Sequence, residues 1–162
     1  MNKSVIYPGS FDPVTLGHLD IIIRASKMFD HVVVAVLRNV AKDKPSFTVE
    51  ERMEFIKRCT EDLPNVTVDS HLGLLADYAR EKGASAVVKG LRAISDFDDE
   101  FRQALTNQKL NPEMETIFMV ANSEHMFLSS SMIKQVCQLG GDISQFIPGE
   151  ISNDIIEKLK KG

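Results

Sequence analysis

A histidine stands at the mouth of the first amphipathic run of this sequence. "YPGSFDPVTLGH", residues 7–18, follows the apolar pair Val5–Ile6 and leads into "LDIIIRASKMF", residues 19–29. Three further stretches gather hydroxyls, cations, glycines and a second histidine: "RNVAKDK" (38–44), "KGLRAISDFDDE" (89–100) and "NSEHMFLSSS" (122–131). The chemistry these residue types suit is the handling of phosphate. His18 falls in the first turn of a helix, where free backbone N–H groups and the helix dipole favour an anion. An imidazole there stays neutral and can donate one hydrogen bond to a phosphate oxygen. Gly9 would let the backbone pass close to a ligand, Pro13 fixes the loop, and Gly17 would bring the helix start close to the strand.

Each residue also has a plainer reading. A lone histidine at a helix start caps or packs; Lys42 and Lys44 suit a solvated loop; "DFDDE" suits an acidic helix face; and "SSS" suits an ordinary N-cap. Neither GxGxxG nor GxxxxGK[ST] occurs, so a dinucleotide fingerprint and a P-loop are both excluded.

The elements that must carry these loops alternate. Short apolar runs at 4–7, 32–37, 66–68, 86–90 and 116–121 read as strands, and stretches of helical period at 17–29, 48–61, 73–82 and 96–109 read as helices. Thr48 with Glu51 three residues on forms a capping box, and Gly83 closes a helix as a C-cap. The tail "GEISNDIIEKLKKG" reads as a last surface helix whose lysines suit its negative end. Alternation of this kind predicts parallel βαβ units with right-handed crossovers. The expected fold is α/β: a Rossmann-like, doubly wound five-stranded parallel sheet with helices on both faces, as a single domain over 1–162. In such a sheet ligands bind beyond the carboxyl ends of the strands, near the point where strand order reverses. All four polar stretches follow strands, so they share that rim.

Bulk properties agree. The 162 residues suffice for a sizeable core, and a formal net charge of -4 argues against a nucleic-acid coating role. No apolar run is long enough for a membrane span or a signal peptide, so a cytoplasmic location is expected. Cys59 and Cys137 stand far apart without metal-ligand spacing and read as small buried hydrophobes.

"GSFDPVTLGH" is similar to the T/HxGH signature of the nucleotidyltransferase superfamily, and "SSSMIK" to its second signature, a serine-rich turn opening a late helix and followed by a basic residue. With "KGLRAISDFDDE" between them in this order, nearly the whole chain resembles the phosphopantetheine adenylyltransferase family. The resemblance implies transfer of the adenylyl group of ATP to 4'-phosphopantetheine, giving dephospho-coenzyme A and pyrophosphate. The nucleophile would be a substrate phosphate oxygen, largely ionised at neutral pH, so no side-chain nucleophile or base is needed.

Carried over residue by residue, His18, Lys42 and Arg92 would be catalytic. The ATP site would comprise Ser10, Phe11, His18, Gly90, Leu91, Arg92, Glu100 and the segment His125, Met126, Phe127, Leu128, Ser129, Ser130 and Ser131. Phosphopantetheine would meet Ser10, Lys42, Leu75, Lys89 and Asn107. The resemblance further implies Mg2+ bound through the ATP phosphates with no dedicated protein metal site, and a homohexamer.

The family usually has arginine where this chain has Lys89, which exchanges a planar bidentate grip for a point charge. It commonly has tyrosine where this chain has Asp99. That carboxylate would lie either outside the pocket or against the bound anion. Two other readings stand beside the leading one: a related nucleotidyltransferase acting on nicotinamide mononucleotide or using CTP, and a non-catalytic nucleotide-binding regulator.

Overall fold

The computed structural model describes residues 3–38 and 44–161. The branched apolar runs form five strands: β1 (Ser4–Gly9), β2 (His31–Leu37), β3 (Val66–His71), β4 (Ala86–Leu91) and β5 (Glu115–Val120). All pair in parallel, in the order β3-β2-β1-β4-β5. The doubly wound sheet expected from alternation is therefore present. Its order reverses between β1 and β4, so the crevice above their carboxyl ends is where a ligand is expected.

Among the described residues six α-helices cover the two faces: α1 (Leu16–Met28), α2 (Val49–Cys59), α3 (Leu75–Glu81), α4 (Ile94–Leu110), α5 (Ser130–Gln138) and α6 (Ser152–Lys161). Strand side chains alternate between faces. Val5 and Tyr7 of β1, Val32, Val34 and Val36 of β2 and Val88 of β4 pack with Ile22, Ile56, Ile133 and Ile155 from α1, α2, α5 and α6. Ile6, Val33, Ala35 and Val87 face the other way, toward Tyr78 and Ala79 of α3. The C-terminal helix follows the expected surface pattern, burying Ile155 and Leu159 and turning Lys160 and Lys161 outward, while Lys158 pairs with Glu51.

Local signals set the helix ends. Thr48 Oγ1 accepts from the Glu51 N–H while Glu51 accepts from the Thr48 N–H, the reciprocal capping box that the spacing predicts. Gly83, at φ +61°, follows α3 in the left-handed conformation of a helix terminator. α4 starts two residues before its expected position, because Asp96 accepts from the backbone N–H groups of Arg92 and Ala93 and so caps an earlier turn. Cys137 is buried, and Cys59 is half-buried with its thiol pushed up to about 12 by burial, so both behave as hydrophobes. No helix among the described residues is long and apolar enough to cross a membrane.

Candidate active site

The turn from β1 into α1 builds the first wall of the site. Thr15 is the N-cap of α1, and its hydroxyl accepts from the His18 N–H at 3.2 Å. In return His18 Nδ1 accepts from the Thr15 N–H at 3.0 Å. An N–H can be received only by an unprotonated ring nitrogen, so the proton of the neutral imidazole sits on Nε2. Capping and ligand binding were alternatives in the sequence; in the fold one nitrogen caps and the other is left as a fixed donor. Burial, and secondarily the Arg92 cation nearby, push the His18 pKa down to about 4, so the ring is neutral at pH 7.

Phe11 sets the ring's position. It is buried at φ +47° and presents an edge to His18 with ring centroids 5.0 Å apart. A Cβ on Gly9 would come within 2.9 Å of the Phe11 ring. The small residue there makes room for Phe11, which corrects the expectation that it admits a ligand. A Cβ on Gly17 would meet the Thr15 hydroxyl at 3.5 Å and His125 at 3.6 Å, and not the neighbouring strand. Ser10 is exposed at the rim, and its carbonyl accepts from Arg52 Nη1 at 2.8 Å.

The second wall comes from β4 and α5. Arg92 leaves the end of β4 beyond Gly90 and Leu91, and its Nη1 donates to the Leu128 carbonyl at 2.7 Å. This ties the β4 loop to the segment His125–Ser131. Within that segment Met126 and Phe127 are exposed while Leu128 is buried. Ser129 caps α5 by accepting from the Met132 N–H at 3.1 Å, Ser130 donates to the Pro13 carbonyl at 2.8 Å, and Ser131 is exposed. The serines are thus N-cap, tie and exposed hydroxyl in turn.

Four other predicted residues gather on the opposite face. Leu75, Lys89, Glu100 and Asn107 line one small cavity between α3, α4 and the β4–β5 pair, with Gln103 and Thr116 beside them. Lys89 Nζ lies 3.1 Å from Glu100 Oε2, and both side chains are largely shielded. Glu100, expected on the ATP side, therefore stands with the residues expected to meet phosphopantetheine. Asp99 is 75% exposed and pairs with Arg102 at 3.2 Å, so its charge lies outside this cavity. Lys44 is exposed, and Lys42 lies outside the described residues. No group of three or more His, Cys, Asp or Glu side chains gathers as a metal site among the described residues.

Three residues of the site had no assignment from the sequence. Arg52 is buried although it reads as a polar helix position; its signal was its place on the same stripe as Phe55 and Ile56. Asp12 accepts from the Ser46 and Phe47 N–H groups, and Lys134 of the "SSSMIK" turn reaches it across 122 positions. Nothing local marks that pairing.

The Cytidylyltransferase-like family model matches residues 6–136. A bifunctional NMN adenylyltransferase/ADP ribose pyrophosphatase from Francisella tularensis superposes with a TM-score of 0.74 at 18% identity, over 100% of this chain and 51% of that one, which establishes a shared fold. The phosphopantetheine adenylyltransferase of Caldanaerobacter subterraneus subsp. tengcongensis is 52% identical over 98% of this chain and 99% of its own length. That of Natranaerobius thermophilus is 55% identical over 96% of each chain. Identity at this level, over nearly the full length of both chains, places the chain in the phosphopantetheine adenylyltransferase family.

Proposed function

We propose that the protein transfers the adenylyl group of ATP to 4'-phosphopantetheine, yielding dephospho-coenzyme A and pyrophosphate. A phosphate oxygen of phosphopantetheine attacks the α-phosphorus of ATP in line. The new P–O bond forms as the bond from that phosphorus to the bridging oxygen breaks, and pyrophosphate departs with the electron pair. His18 Nε2–H donates to a non-bridging α-phosphate oxygen as charge builds there. Arg92 adds a cation beside it, and Ser10 with the Phe11 backbone contacts the same group. Lys42, by resemblance, would hold the incoming phosphate. Mg2+ arrives on the triphosphate as part of the nucleotide substrate, where it offsets phosphate charge.

The observation that carries this reading is the His18 ring, held neutral with its proton on Nε2 at the sheet's switch point. The two faces of the sheet divide the ligands. ATP would lie against α1, Arg92 and the Gly90–Leu91 and His125–Ser131 segments, and the pantetheine arm against Leu75 and Asn107, where an apolar wall and an amide suit a chain of amides, with Lys89 toward its phosphate. Their phosphates meet at the rim between.

We also place the protein in the cytoplasm as a homo-oligomer, a homohexamer by resemblance. What supports self-association is α4, none of whose residues is buried: Ile94 is 92% exposed, and Phe97, Phe101, Leu105 and Leu110 are also open to solvent. Light scattering on the purified protein tests this; a monomer at micromolar concentration refutes it.

The test of function is pyrophosphate release from MgATP with phosphopantetheine or nicotinamide mononucleotide as acceptor, repeated with CTP. Release with phosphopantetheine and ATP alone is expected. Turnover with nicotinamide mononucleotide and none with phosphopantetheine refutes the assignment, and no turnover with any pair favours a binding regulator.

A further inference from the structure

Asp12 takes no part in the transfer chemistry, yet three donors from two distant segments converge on its carboxylate. Oδ1 accepts from the Phe47 N–H at 2.9 Å; Oδ2 accepts from the Ser46 N–H at 3.0 Å and from Lys134 Nζ at 3.0 Å. The Asp12 side chain is 10% exposed and that of Lys134 25%. A carboxylate so deep must be paired, and here both oxygens are. It follows directly on Phe11, whose left-handed φ of +47° is a strained conformation for an aromatic residue and persists only where its surroundings over-determine it. Arg52 holds the other side of the same turn through the Ser10 carbonyl, and the Phe11 ring leans on the His18 imidazole.

We infer that the Asp12–Lys134 ion pair is a positioning device for adenylyl transfer. Lys134 acts on Asp12, Asp12 fixes the Phe11 turn, and that turn aims His18. In this role the basic residue of the serine-rich signature does its work without touching the polyphosphate. The inference rests on the adenylyl-transfer reading above. A displacement of the donor by about 1 Å is enough to cost on the order of 10²-fold in rate, so a pair remote from the reacting atoms can still govern kcat.

The experiment is steady-state kinetics with MgATP and phosphopantetheine on Asp12→Asn, Lys134→Met, the double variant and Lys134→Arg. Each of the first two should lower kcat by about 10- to 100-fold and leave the KM for ATP within about threefold of wild type. The double variant should be no worse than the poorer single, because both changes break one bond. Lys134→Arg should recover most of the loss, and the His18 Nε2 resonance should move in Lys134→Met and return in Lys134→Arg. Lys134 is the more exposed partner, so its Met and Arg variants carry the test alone if Asp12→Asn does not fold. The inference fails if kcat stays within about threefold of wild type, if the two losses multiply, or if Lys134→Met raises the KM for ATP tenfold or more, the mark of direct phosphate contact. Wild-type protein inactive on phosphopantetheine would defeat the functional reading itself; active wild type with unaffected variants defeats only the positioning role.

Discussion

Replacing His18 by alanine removes a hydrogen bond seen at Nδ1 and the phosphate contact proposed for Nε2, so it should register in two measurements. Loss of Nδ1 leaves the Thr15 N–H, now bonded at 3.0 Å in a residue only 2% exposed, without an acceptor. A buried donor stranded in this way costs about 1–3 kcal/mol, and loss of the edge contact with Phe11 adds about 0.5–1.5 kcal/mol. Unfolding entropy near 2.1 cal/mol/K per residue, over 162 residues, converts the sum of about 1.5–4.5 kcal/mol into a fall in Tm of roughly 4–13 °C. Loss of the Nε2 donor should lower kcat by about 10²–10³, the range for removal of one oxyanion-type donor. His18→Gln separates the two. Glutamine three residues after a Thr N-cap completes a capping box, so Tm should return to within about 3 °C of wild type while kcat does not recover. Pyrophosphate release at saturating MgATP and phosphopantetheine, with thermal melts on the same samples, makes the comparison. A His18→Ala kcat within about threefold of wild type refutes the transition-state role, and recovery of both quantities by His18→Gln refutes the division between nitrogens.

The His18 pKa near 4 lies below its ordinary value of 6.5, so the unfolded chain takes up a proton that the folded chain refuses as pH falls from 6.5 to 4. The stabilisation is whole above about pH 6.5 and is lost toward pH 4, by up to about 3 kcal/mol; an imidazole resonance titrating near 6.5 refutes this, and His18→Ala should flatten that window in denaturant melts. Lys89→Met removes a cation that a phosphate would engage, so the KM for phosphopantetheine should rise about 10- to 150-fold while that for ATP stays within about threefold. Equal rises in both would contradict the separation of ligands between the two faces. Asp99→Asn, at an exposed pair, should leave both KM values within about twofold and stability within about 0.5 kcal/mol, as kinetics and melting will check.

What the sequence determined by itself is what local spacing controls. Five runs of branched apolar residues specify strands, Thr48 with Glu51 specifies a helix start, and the position of His18 three residues after Thr15 specifies an imidazole at a helix mouth. The tertiary structure decided which distant residues share a charge or a hydrogen bond. Nothing in the spacing told that Lys89 would be paired, until α4 brought Glu100 within 3.1 Å. Arg52 looked solvated until α2 packed against the β1 loop and gave it the Ser10 carbonyl. Gly9 serves the Phe11 ring because that ring folds back beneath it. Asp12, Ser46 and Lys134 meet only because the fold brings the segment before α2 and the helix α5 to the β1–α1 turn. Covalent spacing fixes geometry over a few residues, whereas partners separated by dozens are fixed by packing, which no short stretch encodes.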